Sequence, residues 1–207
     1  MRHNPDYAIA DEASAMQLIR DNPWATMFSS TANGPVASHY PFLLEQDADG
    51  LVLVSHVGRP DERLHQLGTG PLLVVFYGAS GYISPSWYGI SPAVPTWNFA
   101  TVHVTGVPEI LSDDENLAVL ERLVDHFESP LPEPFRMRRD ELNVEYAERI
   151  VHGTVGFRLR VDHWVGKDKM SQDKAPEVVE RIIEHLEGDG PYANAQLAGR
   201  MRSSRGF

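Results

Sequence analysis

Residues 82–106 read YISPSWYGISPAVPTWNFATVHVTG, and they combine five aromatic side chains with three prolines. Proline fixes its own backbone angle and removes an N–H donor, so the first part of this stretch predicts a rigid loop rather than a strand. Aromatic rings in such a loop present flat apolar faces with polar tips. The stretch therefore predicts a surface for a planar ligand or a subunit interface, or else a loop that packs on its own core.

Short strands surround this loop in hairpin order. A hairpin turn is predicted at Asn33-Gly34, because both residues tolerate positive φ. Alternating or continuous apolar residues predict strands at 24–31, 35–45, 51–56, 72–77, 96–111 and 155–161. Residues 166–172 predict a charged loop. Since no βαβ alternation is visible, the order favours an antiparallel barrel over a parallel doubly wound sheet.

Helices are predicted as an insertion and at the C-terminus. Ser112 and Glu115 match a capping box. The apolar residues behind it are predicted to face inward, and they are Leu117, Leu120, Leu123, Val124 and Phe127. Another amphipathic helix is predicted at 176–187. We expect one domain over residues 1–207, with a helical insertion near 112–151 and C-terminal helices at 176–203.

Composition excludes several classes of function. The net charge of -11 argues against direct DNA binding, because phosphate neutralisation dominates that affinity. The absence of cysteine excludes disulfides, thiolate metal ligands and cysteine nucleophiles. The N-terminus shows no apolar signal segment, and the apolar runs are too short to cross a membrane. We expect a cytoplasmic protein without a membrane partner.

The sequence assigns no catalytic residue and no metal site. The motifs GxSxG, HExxH, GxGxxG and the Walker loop are all missing from the chain. Three histidines on neighbouring predicted strands, His39, His56 and His103, could meet at a metal. Histidines whose hydrogen bonds are satisfied within a barrel are the commoner outcome.

Three segments carry polar groups that suit a ligand. His56 and Arg59 lie where a strand ends in a loop, and such a loop can bind an anion or can simply expose a solvated arginine. Lys169, with Ser171 and Gln172, can hold a phosphate or can form an ordinary charged loop. Asn98, beside Thr96 and Trp97, can bind the edge of an amide-bearing ring or satisfy the start of its own strand.

Together, YISPSWY, VPTWNF, VHVTG and GF…KxSQ resemble the PaiB-type FMN-binding negative transcriptional regulators, and the resemblance covers most of the chain. It implies a split β-barrel of the flavin-reductase and pyridoxamine-oxidase type, mainly β with added helices. It also implies a homodimer with FMN at the subunit interface. With Arg59 added from its loop position, the residues expected to contact FMN are His56, Arg59, Thr96, Trp97, Asn98, Lys169, Ser171 and Gln172.

The chain departs from the family pattern at two acidic residues. Asp168 stands where the family usually has an aromatic residue, and Asp173 stands where it usually has asparagine. Because a carboxylate repels a phosphate and so opposes its attraction to the nearby lysines, both residues predict weaker FMN binding than in relatives. Two other functions stay open: a flavin-dependent oxidoreductase acting on NAD(P)H or a small substrate, and a flavin-free interaction protein.

Overall fold

Ten β-strands and six α-helices make up the described part of the chain, residues 1 and 4–204 of a computed structural model. The strands are β1 (Ala8–Ile9), β2 (Trp24–Thr31), β3 (Gly34–Pro41), β4 (Leu43–Asp47), β5 (Gly50–Gly58), β6 (Leu72–Ile83), β7 (Thr96–Gly106), β8 (Pro108–Ile110), β9 (Thr154–Arg160) and β10 (His163–Lys169). The helices are α1 (Glu12–Asp21), α2 (Arg59–His65), α3 (Asp113–Glu128), α4 (Glu141–Val151), α5 (Pro176–Glu187) and α6 (Ala195–Ser203). Each of these helices is too short or too polar to traverse a lipid bilayer.

The strands form two antiparallel sheets. One sheet has the order β1-β10-β7-β6-β2-β3, and the other has the order β4-β5-β9-β8. The predicted hairpin is present, since β2 pairs with β3 and Thr31 lies opposite Gly34, whose φ of 108° suits glycine. Antiparallel sheets with inserted and appended helices confirm the predicted fold class.

Contacts divide the chain into two compact units. Unit 1 comprises Met1–Asp21, Tyr77–Val102 and Val165–Phe207, and unit 2 comprises Asn22–Phe76 and His103–Trp164. Both units contain buried apolar residues. The expected single domain over residues 1–207 stays a prediction.

The core of unit 2 is built around Phe42, which is 1% exposed. Its ring meets Phe76 and Phe157 edge-on, with centroid separations of 5.9 Å in both pairs. Helix α3 begins at the predicted capping box, in which the Ser112 hydroxyl accepts from the Glu115 N–H and the Glu115 carboxylate accepts from the Ser112 N–H. The helix then packs on the sheet of β5 and β9.

Unit 1 packs its two C-terminal helices tightly. The predicted amphipathic helix is α5, and its buried residues are Val178, Val179, Ile182, Ile183 and Leu186. On α6, Leu197 lies so close to β6 that a Cβ added at Gly81 would approach its Cδ2 to 2.9 Å. A side chain at this point of the strand would therefore displace the end of the Leu197 side chain.

Two strands predicted as continuous are each broken into two. The segment 35–45 forms β3 and β4, because Phe42 turns into the core and its N–H donates to the Pro23 carbonyl at 2.8 Å. The segment 96–111 forms β7 and β8. Gly106 ends β7 where the backbone passes the Arg160 carbonyl, which would lie 2.1 Å from a Cβ at that position.

Two local predictions are wrong. Within the predicted loop 166–172, residues 166–169 belong to β10 and only residues 170–172 lie outside a strand, because Gly166 and Lys167 pair with Ile9 and Ala8 on the distant β1. Phe127 is 45% exposed rather than inward. The buried face of α3 contains Val119 and Leu123, which pack on valines of β5.

Candidate functional site

Six of the eight residues predicted to contact a flavin belong to unit 1. Thr96, Trp97 and Asn98 begin β7, Lys169 ends β10, and Ser171 and Gln172 follow that strand directly. His56 on β5 and Arg59 at the start of α2 belong to unit 2. The predicted contacts therefore fall into two groups, one in each unit, and the assignment of all eight residues stays a prediction.

Asn98 and Ser171 form a buried polar pair in unit 1. Their exposed fractions are 0% and 1%. The Asn98 Nδ2 donates to Ser171 Oγ at 2.9 Å, and the Ser171 hydroxyl lies 3.2 Å from Asn98 Oδ1. Ser171 adopts a φ of 61°, a left-handed conformation that is uncommon for a residue with a side chain. The pair fixes the loop after β10 against the first residues of β7.

A cluster of ammonium groups lies on this loop and strand. All three lysines of the chain fall within residues 167–174, whereas the arginines are spread along the chain. The Lys169 ammonium donates to Thr96 Oγ1. Burial lowers the pKa of Lys169, the Asp173 carboxylate opposes this shift, and the charges of Lys167 and Lys174 add to it. We call Lys167, Lys169 and Lys174 the lysine cluster.

Aromatic rings lie beside each member of the lysine cluster. The Lys167 and Lys169 ammonium groups are 5.8 and 5.9 Å from the centroid of the Tyr7 ring. The Lys174 ammonium is 4.8 Å from the centroid of Tyr88. These distances allow cation–π attraction, which stabilises the three like charges at close quarters.

The two acidic residues of the loop have different partners. The Asp168 carboxylate accepts two hydrogen bonds from Arg200, from Nε at 3.2 Å and from Nη2 at 2.9 Å. Asp173 lies 3.4 Å from the Lys174 ammonium, and its carboxylate raises the pKa of the Tyr7 phenol after the larger effect of burial. The negative charge that acts on Lys169 thus comes from Asp173.

The Gln172 side chain is bound to its own loop. Its Oε1 accepts from the Met170 N–H at 2.7 Å, and its Nε2 donates to the Asp168 carbonyl at 2.5 Å. Gln172 thereby shapes the loop that carries Lys169 and Ser171. Trp97, by contrast, is 53% exposed and meets Tyr82 edge-on at 6.3 Å.

In unit 2, His56 has a buried nitrogen with no partner. Among the described residues, none hydrogen-bonds its Nδ1. Burial lowers the pKa of His56, so the neutral imidazole is favoured. The Tyr40 ring lies edge-on at 6.1 Å, and its hydroxyl donates to Asp61 at 2.7 Å. An orphaned ring nitrogen of this kind suits a polar atom of a ligand.

The Arg59 side chain already contacts other groups within unit 2. Its Nε donates to the His152 carbonyl at 2.8 Å, and its Nη2 lies 3.7 Å from the Asp113 carboxylate. The guanidinium therefore ties the start of α2 to the insertion helices. Its predicted role toward an anion would require these contacts to change.

Three residues that form or surround the lysine cluster were not predicted from the sequence as ligand contacts, namely Tyr7, Lys174 and Tyr88. The restriction of lysine to residues 167–174 could have identified Lys174. Tyr88 lies in the aromatic stretch 82–106, and its hydroxyl is a buried polar atom without a hydrogen-bond partner in the described structure. Tyr7 has no local signal, because its contact with the lysines depends on the pairing of β1 with β10.

These groups fit a phosphate-bearing aromatic ligand. The lysine cluster offers several N–H donors and positive charge, and aromatic residues lie around it. The family described as "Putative FMN-binding domain" matches residues 1–163. The chain belongs to this FMN-binding family. A flavin is therefore its cofactor.

Relatives extend this assignment. The protease synthase and sporulation protein PAI 2 of Bacillus subtilis (strain 168) is 26% identical over 197 residues, which is 94% of this chain and 93% of that protein. This similarity confirms the predicted PaiB type of the FMN-binding family. The uncharacterized protein YKL070W of Saccharomyces cerevisiae is 32% identical over 160 residues, which is 65% of this chain and 95% of that protein.

Solved structures share the fold. The FAD and heme binding protein from Mycobacterium smegmatis superimposes with a TM-score of 0.61 at 20% identity, over 84% of this chain and 79% of that one. The flavocytochrome Anf3 from Azotobacter vinelandii gives a TM-score of 0.59 at 15% identity, over 82% and 72% of the two chains. These likenesses support the split-barrel fold of the FMN-binding family.

Proposed function

We propose that this member of the FMN-binding family is a homodimeric FMN protein that acts as a negative transcriptional regulator. The observation that carries the flavin part is the lysine cluster, which contains every lysine of an acidic chain and in which Lys169 donates to Thr96. The regulatory part rests on the resemblance to PaiB-type regulators and on the similarity to PAI 2 along nearly the whole chain.

The lysine cluster suits the phosphate of FMN. Three ammonium groups repel one another, and the nearby Asp173 carboxylate offsets only part of that charge. A phosphate that carries between one and two negative charges would complete the neutralisation through charge-assisted hydrogen bonds. Thr96, at the start of β7, would help to position the ring system, and the buried Asn98 would hold that strand against the loop after β10. The bound flavin would supply reversible electron transfer.

Titration of FMN and of riboflavin into flavin-free protein tests this role for Lys169. Riboflavin lacks the phosphate, so it serves as the matched ligand. We expect Lys169→Met to weaken FMN binding by about tenfold or more, because it removes a hydrogen bond to a charged group. Riboflavin binding should change little. Arg139→Gln removes a positive charge beside Asp140 in unit 2 and should leave both affinities unchanged.

Equal losses for FMN and riboflavin would show that Lys169 supports the fold of the loop rather than the phosphate. Unchanged affinity for both ligands would move the phosphate site away from the lysine cluster. Either result refutes the assignment, and flavin fluorescence quenching measures all of these affinities in one format.

The regulatory role needs a separate measurement. We expect the transcripts of the genes that this protein represses to rise when its own gene is deleted from the host. They should fall again when the wild-type gene is restored. Since the net charge of -11 disfavours phosphate contacts, we expect a gel shift with the protein alone to show weak DNA binding. Unchanged transcripts, together with bleaching of the flavin by NAD(P)H, would replace this role with that of a flavin-dependent oxidoreductase.

A further inference from the structure

A pocket of about 380 Å³ lies in unit 1, outside the residues assigned to the flavin. It opens between the 3₁₀ turn Pro85–Trp87 and the C-terminal end of α5, and residues 188–192 close one side. Its volume is within the range of pockets that hold small molecules. The pocket shares no lining residue with the predicted FMN contacts, so its properties are independent of that assignment.

Three of the residues that line the pocket have aromatic rings. The Trp87 indole stacks on the His185 ring with a centroid separation of 5.1 Å and an interplanar angle of 16°. Tyr192 approaches Trp87 edge-on at 6.4 Å, and it also contacts Tyr82 at 5.1 Å. Indole and phenol rings attract cations through their negative faces, and indole does so most strongly.

The electrostatics of the pocket also favour a cation. Two exposed carboxylates, Glu184 and Asp189, line it. Helix α5 ends here, with the Gly188 N–H bonded to the Glu184 carbonyl, so the negative end of a twelve-residue helix points to the same place. Among the described residues that form the lining, none is lysine or arginine. The aromatic faces, the carboxylates and the helix end therefore all attract a positive charge.

We propose that this pocket binds a small organic ammonium ion. An anion would face the carboxylates and the helix C-terminus, which repel it. A neutral apolar ligand would gain from the rings and nothing from the charges. An alkylammonium group gains from both, because its low hydration lets it lie against Trp87 and Tyr192 while its charge interacts with Glu184 and Asp189.

Choline and its neutral isostere 3,3-dimethyl-1-butanol provide the test. The probe signal is the indole N–H of Trp87 in a ¹⁵N spectrum, assigned by its disappearance in Trp87→Phe. We expect choline to cause a saturable shift of the Trp87 indole signal. The neutral isostere should bind about tenfold more weakly, because it lacks the cation–π contact and the attraction of the carboxylates. The Trp164 indole, which belongs to unit 2, reports whether the fold is unchanged.

Substitutions locate the site. The double variant Glu184→Gln/Asp189→Asn should weaken choline about fivefold or more and leave the neutral isostere unaffected. Glu177→Gln removes an exposed carboxylate at the other end of α5 and should change neither ligand. Equal affinity for choline and the isostere overturns the proposal. Displacement of choline by an equal concentration of potassium also overturns it, as does the absence of a saturable shift up to about 50 mM choline.

Discussion

Asp168 and Asp173 stand close together in the sequence but have opposite surroundings. The sequence alone predicts that both weaken FMN binding. The Asp168 carboxylate, however, is 14% exposed and is held by Arg200 through two hydrogen bonds. Asp173 instead acts on Lys169 and Tyr7. The two carboxylates should therefore respond differently to the same substitution.

We expect Asp173→Asn to tighten FMN binding by about twofold to fivefold, because it removes a negative charge beside the phosphate position in partly screened surroundings. Asp168→Asn should leave FMN affinity nearly unchanged and instead lower the free energy of unfolding by ~1–2 kcal/mol, since it breaks a mostly buried ion pair. Calorimetric titration and chemical denaturation of the two variants measure both effects. Equal changes in FMN affinity would contradict this distinction.

His65 makes the stability of unit 2 depend on pH. It is 2% exposed, and its Nδ1 and Nε2 lie 2.8 and 3.0 Å from the hydroxyls of Ser29 and Ser38. Burial lowers the pKa of His65, while the Asp61 carboxylate partly opposes the shift. The folded state therefore binds a proton less readily than the unfolded state does. The stability that the neutral His65 contributes to the folded state is complete above the unfolded pKa of about 6.5. It is lost as the pH falls through the lower pKa of the folded state.

We accordingly expect the free energy of unfolding to fall between pH 7 and pH 5, by about 1.4 kcal/mol for each unit by which the folded pKa is lowered. Urea denaturation at several pH values measures this slope, and His65→Gln should make it shallower. A slope that is the same in the variant and the wild type would show that other groups, such as His56, cause the dependence.

At the scale of elements, helix α3 passes very close to the backbone of β9 at Gly156. A Cβ added at Gly156 would lie 2.7 Å from Asn116 Oδ1 and 2.9 Å from Asn116 Cα. Asn116 is itself 1% exposed and donates to Thr154 Oγ1 at 3.0 Å. The helix therefore has little freedom to move away without losing a buried hydrogen bond.

We expect Gly156→Ala to lower the free energy of unfolding by about 1–3 kcal/mol through overpacking. Gly199→Ala on α6 is the matched control, because nothing lies within 4 Å of its Cβ position. The control should be neutral or stabilising by up to about 1 kcal/mol, since alanine favours a helix over glycine. A Gly156→Ala variant as stable as Gly199→Ala would mean that α3 can shift away from β9.

The local sequence predicts some elements well and others poorly. The Ser112 capping box and the apolar face of α5 depend on neighbours in the chain, so a local pattern indicates them directly. Strand β10 depends on pairing with the two residues of β1, a contact that leaves no local pattern. For the same reason a motif identifies Lys169 but neither Tyr7 nor Arg200, which reach the same loop from the two ends of the chain.

At the scale of the molecule, the aromatic loop leaves apolar side chains in solvent. Ile90, Val94 and Trp97 are 59%, 74% and 53% exposed. Burying these side chains against a second copy would remove apolar surface from water, which favours self-association. We expect light scattering to give twice the chain mass of 23.1 kDa. Val94→Asp should shift the mass toward the monomer, whereas Val107→Asp, at an exposed valine of unit 2, should not. A wild-type monomer at micromolar concentration would contradict the proposed homodimer.

The visible absorption spectrum of the purified protein tests most directly whether this chain is an FMN protein. We predict the two absorption bands of oxidised flavin, release of FMN rather than FAD on denaturation, and a stoichiometry of one FMN per chain. Lys169→Met, purified in parallel, should carry less FMN at equal helical content, because the phosphate loses a charged donor. A colourless wild-type protein that still fails to bind added FMN would contradict the flavin function and favour a flavin-free interaction protein.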